Sequence, residues 1–315
     1  LGSAQIVLDL HEFSSGRRKR LLFSGDVGRG DNDILRDPVD VEDVDFLIME
    51  STYGAREHEL PTHADARIAD ILNRTLKKGG KVIIPAFAVG RTQQLIYVLH
   101  QLTEEKQIPE VPIYVDSPLA TNITQVFGEH PEVYDEETHD TFLEKGKNPF
   151  SMDKIHFVGS VEESIALNHE TKPHIVLSAS GMCEAGRILH HLRYKIHNAK
   201  NTILMVGFQA QNTLGRRILD LGLEYEKSGR KGASPVVRIF NKEYPLKAHV
   251  VRLGGFSAHA DKNEMLRFLK KSNLKIKKIA LVHGEEDQIL SFADFLKKEG
   301  FSVVVPKPGG SIEVK

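Results

Sequence analysis

Residues 81–100 read KVIIPAFAVGRTQQLIYVLH. The opening run is apolar and partly β-branched, the composition of a short strand buried on both faces. Val89-Gly90-Arg91 breaks it, and an amphipathic helical pattern then runs to about His100. Strand, glycine-containing turn and helix form a unit that recurs along the chain. Residues 20–23 lead into Ser24-Gly25-Asp26, and 45–49 into Glu50-Ser51-Thr52-Tyr53-Gly54. Residues 175–177 lead into Ser178-Ala179-Ser180-Gly181, and 202–206 into Gly207-Phe208-Gln209. Residues 250–253 precede Ser257-Ala258-His259, and 279–282 precede His283-Gly284-Glu285 and a further helix. Strands alternating with helical stretches predict an α/β fold with largely parallel sheets flanked by helices.

Residues 64–78 complete a helix, with Ile68, Ile71, Leu72 and Leu76 on its apolar face and Gly79-Gly80 as the stop. From about 129 to 160 the pattern weakens into charged, proline-containing sequence, read as surface helix and loop. The tail, 302–306 and 311–314 around Gly309-Gly310, reads as a closing hairpin. No internal repeat or low-complexity tract interrupts the chain.

Hydrophobic residues make up 40% of the 315, enough for one large or two medium cores. The net charge of −1 excludes a histone-like polybasic protein but leaves room for a local phosphate-holding groove. The lone Cys183 rules out an internal disulfide and a cysteine-based zinc site, and suits a reducing compartment. No apolar run approaches the roughly 20 residues needed to span a bilayer, and no signal segment opens the chain. The expectation is a soluble cytoplasmic protein. Residues 1–58 carry 7 basic and 12 acidic side chains, whereas 245–315 carry 13 basic and 8 acidic. A negative first segment suits a metal site better than a phosphate-binding surface, although a solvated acidic loop at 31–45 accounts for most of that excess.

Four polar residues, Asp26, Glu50, His259 and His283, each follow the C-terminal end of an expected strand. In open α/β sheets ligands bind at that edge. An Asp with a His can ligate zinc, and a carboxylate can bridge two ions. A Glu with a His makes an oriented acid–base pair, the carboxylate setting the tautomer. The residues alone therefore indicate a binuclear metal hydrolase with half of its ligands present. The other histidines, His190-His191 included, have no such placement and read as structural.

Phe23-Ser24-Gly25-Asp26, Met49-Glu50-Ser51-Thr52-Tyr53-Gly54, Phe256-Ser257-Ala258-His259-Ala260-Asp261 and Leu281-Val282-His283-Gly284-Glu285 stand in this order. They resemble the fourth metallo-β-lactamase motif followed by motifs A, B and C of the β-CASP nucleases. The likeness is to the branch that holds the mRNA cleavage-and-polyadenylation endonuclease and its bacterial and archaeal relatives. Val115-Asp116-Ser117-Pro118-Leu119-Ala120, Gly146-Lys147-Asn148-Pro149-Phe150 and Ser178-Ala179-Ser180-Gly181-Met182 with Gly186-Arg187 resemble it too. The resemblance spans essentially the whole chain.

It implies a partial metallo-β-lactamase αββα sandwich with an inserted β-CASP domain. Residues 1–57 and 245–315 would belong to the lactamase core and 58–244 to the insertion. Asp26 would bridge two zinc ions, His283 would ligate one, His259 would protonate the leaving oxygen and Glu50 would orient it. The attacking water would be activated by metals that depress its pKa toward about 7. The substrate would be RNA, most readily single-stranded, because the DNA-processing branch tends to carry valine where this chain has His283. Products would carry a 5′-phosphate and a 3′-hydroxyl. The resemblance leaves internal versus terminal cleavage open, involves no membrane and allows a homodimer.

Arg91, Ser180 and Arg187 follow strand–turn units whose backbone N–H groups and helix N-termini suit phosphate. They are the expected substrate contacts, so alanine at Arg91 and Arg187 is expected to flatten the salt dependence of RNA binding.

The His-x-His-x-Asp-His motif and a later histidine ligand are absent. The start at Leu1-Gly2-Ser3-Ala4, without methionine, reads as the middle of a longer protein, expected by itself to bind zinc weakly and to cleave little. Two other readings remain at this level. A thioesterase- or glyoxalase-type lactamase-fold hydrolase is opposed by the long insertion and the Glu50–His259 pair. A non-catalytic scaffold is opposed by the retention of all four motif residues. A nucleotide-binding βαβ protein lacks any glycine-rich phosphate fingerprint after a strand.

Overall fold

The computed structural model describes residues 2–13, 16–30, 34–58, 61–140, 148–254, 257, 259–271 and 275–313, the side chains of 61–64 excepted. Phe256 and Ala258 of the third motif, Gly146-Lys147 and Val314 lie outside the described residues. Along the chain run β1 (Ile6–Glu12), β2 (Arg17–Phe23), β3 (Phe46–Met49), α1 (Pro61–Leu76), β4 (Val82–Pro85), α2 (Arg91–Glu104), β5 (Ile113–Val115) and α3 (Pro118–Glu129). A 3-10 turn at Pro131–Val133 and the one-turn α4 (Glu136–Thr138) precede β6 (Ile155–Phe157), α5 (Val161–His169) and β7 (Ile175–Ser178). Then come α6 (Ile188–Lys195), β8 (Thr202–Met205), α7 (Leu214–Lys227), β9 (Val236–Ile239), β10 (Lys242–Pro245) and β11 (His249–Arg252). The chain closes with α8 (Lys262–Lys271), β12 (Lys278–Leu281), α9 (Glu286–Lys298) and β13 (Val303–Val304). It forms two compact units, Leu1–His58 with Ala258–Lys315, and Glu59–Ser257.

In the first unit the described residues form a five-stranded sheet ordered β1-β2-β3-β12-β13. β1 and β2 pair antiparallel, and the remaining neighbours are parallel. Leu47, Met49, Ile279 and Leu281 on the central strands pack with Met265 and Leu269 of α8 and Phe292 and Leu296 of α9. Each such side chain contributes roughly 1.5–3 kcal/mol by leaving water. This cover explains why β3 reads as an uninterrupted apolar run. β1 differs: every one of its residues is exposed, on both faces.

The second unit holds a six-stranded sheet among its described residues, ordered β11-β8-β4-β7-β5-β6, with every pairing parallel. The central β4, β7 and β8 are buried throughout, and Ile83, Val176, Ile203, Met205 and Ile218 share one core. The expected α/β fold with parallel sheets and flanking helices is the one observed.

Two expectations change in detail. The closing hairpin does not form among the described residues: Val303–Val304 pairs parallel to β12, and 311–313 take no strand. The 129–160 stretch is not all surface, because Tyr134 and Phe150 are buried and β6 adds the edge of the larger sheet. Tyr134 and Phe150 pack edge-on, holding a proline-containing loop by its aromatic rings. β11 joins that same sheet through β8, and this compact unit runs to Ser257. Finally, β9 and β10 make a hairpin whose two turn residues, Phe240 and Asn241, take φ of 49° and 60°, the left-handed pair that a two-residue turn requires.

No helix among the described residues is long and apolar enough to cross a membrane.

Candidate active site

Parallel pairing of β2, β3 and β12 places three motif turns at one edge of the smaller sheet. Ser24 N–H donates to the Ile48 carbonyl (2.9 Å), Val282 N–H to that of Met49 (2.9 Å) and Ser51 N–H to that of His283 (3.0 Å). Ladder hydrogen bonds thus run past the strand ends and fix the turns that carry Asp26, Glu50 and His283. His283 itself takes φ of 51°, a left-handed conformation uncommon outside glycine and one that marks functional turns. Gly284 follows because the Ser51 carbonyl oxygen would stand 2.8 Å from any Cβ there.

His259 arrives differently. Its preceding strand, β11, belongs to the other unit's sheet, so the expectation of a fourth adjacent strand tip needs correction. An isolated antiparallel bridge with Gly28, and Ala260 N–H donating to the Val27 carbonyl at 2.8 Å, hold it instead.

The four residues converge. His283 Nδ1 lies 3.4 Å from Asp26 Oδ1, both side chains more than half exposed. His259 Nδ1 lies 2.9 Å from Glu50 Oε2, with the Glu50 side chain only 2% exposed. Asp26, Glu50 and His259 offer ligand atoms all within 4.8 Å of one another. The two imidazole rings stand 6.0 Å apart.

Hydrogen bonding divides the cluster by chemistry. Both Glu50 oxygens are taken, Oε1 by the Val27 N–H at 2.5 Å and Oε2 by His259 Nδ1–H. A carboxylate so engaged orients an imidazole rather than a cation, and leaves Nε2 as the nitrogen that exchanges a proton. Asp26 and His283 present an exposed oxygen and nitrogen, a donor set that suits zinc.

Sequence reasoning missed His58. Its Nε2 lies 2.9 Å from the main-chain carbonyl of His259, and its own N–H donates to Asp261 Oδ2 at 2.8 Å. Tyr53 packs edge-on against it at 4.7 Å and also neighbours the His259 ring. Burial pushes the His58 pKa below the usual imidazole value. The available signal was its place shortly after Tyr53-Gly54, on the turn that leaves the Glu50 motif.

In the second unit the expected substrate contacts are drawn inward. Arg91 is buried, 7% exposed, and its guanidinium donates to Gln94 Oε1. Arg187 donates to Asp116 Oδ1 at 2.7 Å and to the carbonyls of Val158 and Gly159. Ser180 Oγ accepts from the N–H of Glu184 at 3.1 Å. These interactions organise the turn containing Ser180 and Arg187 from beneath. Asp116 gathers further donors besides Arg187: His191 Nε2–H donates to it at 2.6 Å, Ser164 Oγ–H at 2.6 Å, and its own carbonyl accepts from Ser178 Oγ–H. Burial opposes its ionisation, but the donors from His191, Ser164 and Arg187 outweigh that and hold its carboxyl below the usual range. Burial depresses the His191 pKa, and Lys195 Nζ, 3.2 Å from His191 Nδ1, is pushed down to about 7 by the same cause.

Two family models match the chain: the Beta-Casp domain over residues 92–218, and the Zn-dependent metallo-hydrolase RNA specificity domain over 243–306. The chain is similar to Ribonuclease TTHA0252 of Thermus thermophilus, 37% identical over 313 residues, covering 99% of this chain and 67% of that protein. It is similar to the transcription termination factor FttA of Methanocaldococcus jannaschii, 31% identical over 281 residues, covering 88% of this chain and 43% of the factor. An RNase J-like protein of the same organism is 32% identical over 300 residues, covering 93% and 63% respectively. The chain thus spans from under half to about two thirds of the length of these curated relatives.

Proposed function

The chain belongs to the β-CASP ribonuclease family of the metallo-β-lactamase superfamily, and from that premise we propose that the protein it represents hydrolyses RNA phosphodiester bonds with this cluster. One observation supports the reading above the others. An oriented Glu50–His259 pair stands beside an exposed Asp26–His283 pair on one sheet edge of a single compact unit. In this proposal residues 58–244 are the β-CASP domain, and 1–57 with 245–315 form part of the lactamase core.

Metal dependence follows from the matched RNA specificity domain, described as that of a Zn-dependent metallo-hydrolase. Asp26 and His283 would hold zinc, two ions in the full-length protein, with Asp26 shared between them. Bound zinc supplies an ionised water near neutral pH and offsets charge on the phosphoryl oxygens. The remaining work is done by side chains. Glu50 accepts the Nδ1–H of His259 and stabilises the ring's positive charge, which keeps a proton on Nε2. His259 then delivers that proton to the departing ribose oxygen, leaving a 3′-hydroxyl on one product and a 5′-phosphate on the other. We place the activity in the cytoplasm, on single-stranded RNA.

The test uses the full-length, zinc-loaded protein with labelled single-stranded RNA, DNA of the same sequence and a small ester. RNA cleavage leaving 5′-phosphates is expected, and His259→Ala and Glu50→Gln each lower kcat by roughly 10²- to 10⁴-fold at unchanged metal content. A zinc-loaded protein that hydrolyses the ester and leaves RNA intact overturns the proposal.

A further inference from the structure

The hydrogen bonds around His259 form a chain that starts at Val27 and returns to Arg29, two residues further on. Glu50 accepts from Val27 N–H and from the His259 imidazole. The His259 carbonyl lies within hydrogen-bond distance of His58 Nε2, and His58 N–H donates to Asp261 Oδ2. Asp261 N–H donates to Glu264 Oε2 at 2.8 Å, and Glu264 Oε1 receives Arg29 Nε–H at 3.4 Å. Arg29 lies two residues beyond Val27, beside the Gly28 that bridges His259. Glu50, His259 and Asp261 lie in motif turns, and Asp261 and Glu264 cap α8, where Asp261 Oδ1 accepts from the N–H groups of Asn263 and Glu264.

His58 lies in no motif turn and caps no helix, yet it reaches His259. A carbonyl can only accept, so His58 must carry its proton on Nε2 to bond there. The imidazole of His259 is thereby held at two points, its ring by Glu50 and its main chain by His58. The second hold matters because, among the described residues, no strand of this sheet carries His259: the bridge to Gly28, the Ala260 bond and the His58 contact hold its main chain. Tyr53 packs against both rings and keeps His58 facing that carbonyl.

We propose that His58 is a positioning residue: its Nε2–H fixes the main-chain carbonyl of His259 and so aims the imidazole that protonates the leaving oxygen. This rests on the nuclease reading for what His259 does, and on the hydrogen-bond chain alone for what His58 does to His259.

The experiment compares His58→Gln, His58→Asn and His58→Phe in the full-length zinc-loaded protein. A glutamine amide nitrogen reaches about as far as Nε2, an asparagine amide falls short, and phenylalanine keeps the ring against Tyr53 without a donor. Expected are kcat losses of roughly 10- to 100-fold for Asn and Phe, KM within about twofold of wild type, and recovery with Gln. The alkaline limb of the pH–rate profile, which reports the general acid, shifts in Asn and Phe and returns with Gln. NMR of His259 labelled in its ring is read alongside: its titration is displaced in Asn and Phe and restored in Gln. Equal kcat in Gln and Asn overturns the proposal. So does a loss in which metal content, KM and melting temperature move together, since that is a scaffold effect. If the wild-type protein leaves RNA uncut, the nuclease reading fails, yet the His259 titration still decides whether His58 holds it. Should the Phe variant not fold, the Gln–Asn pair carries the same comparison.

Discussion

At the residue scale, the side chains that were legible in the sequence are those whose chemistry sits next to a strand end. Asp26, Glu50 and His283 follow strands that end in apolar residues, and parallel pairing of three adjacent strands is enough to bring them together. Arg187 shows the opposite case. A solvent-facing arginine after a glycine turn was expected to meet phosphate, but its guanidinium is spent on Asp116 and two carbonyls. Asp116 lies in a separate segment, so no local pattern reveals the pair. Arg187→Ala therefore leaves a fully buried carboxylate short of a donor, and a loss of about 3 kcal/mol is expected in urea unfolding. The salt slope of RNA binding, measured on a variant refolded under stabilising conditions, should stay at the wild-type value, in contrast to the sequence expectation. His58 was missed for a related reason: its partner is a carbonyl, and carbonyls leave no trace in a sequence.

Elements follow their patterns wherever one periodicity dominates. β4, β7 and β8 are recognisable because burial on both faces demands unbroken apolar runs. β5, β6 and β13 are short, and β6 and β13 lie at sheet edges, so their patterns merge with the loops beside them. β11 was found as a strand, but which sheet it joins depends on pairing with β8, a long-range choice that its own residues do not encode. The packing beneath it is tight. Gly222 of α7 meets Val250 so closely that an added Cβ would lie 2.4 Å from that side chain. Gly222→Ala, normally a favourable change within a helix, is expected to destabilise the second unit by about 1–3 kcal/mol, read from the urea midpoint.

For the whole molecule, acidity acts mainly through buried bases. His174 is fully buried, donates Nδ1–H to the Lys172 carbonyl, and burial lowers its pKa to about 4. The unfolded chain takes up that proton near pH 6.5, so folding stability falls as pH drops, by about 1.4 kcal/mol per unit between about 6.5 and about 4. Lys195 acts in the same direction at higher pH, its folded value of about 7 lying below the unfolded one. His174→Asn keeps the Nδ1-like donor without the titrating ring. Urea midpoints measured from pH 7 to 4.5 should fall less steeply for it than for wild type, and parallel curves would count against this account. β1 has a consequence of another kind. Ile6, Leu8 and Leu10 are exposed on the rim of a sheet that β1 terminates among the described residues. Such a rim is a template onto which further backbone can zip. Sedimentation of this polypeptide should show mass that climbs with concentration, and a single charge at Leu8→Lys should return it to monomer. On this account one strand, more than the near-neutral total charge, governs self-association of this polypeptide.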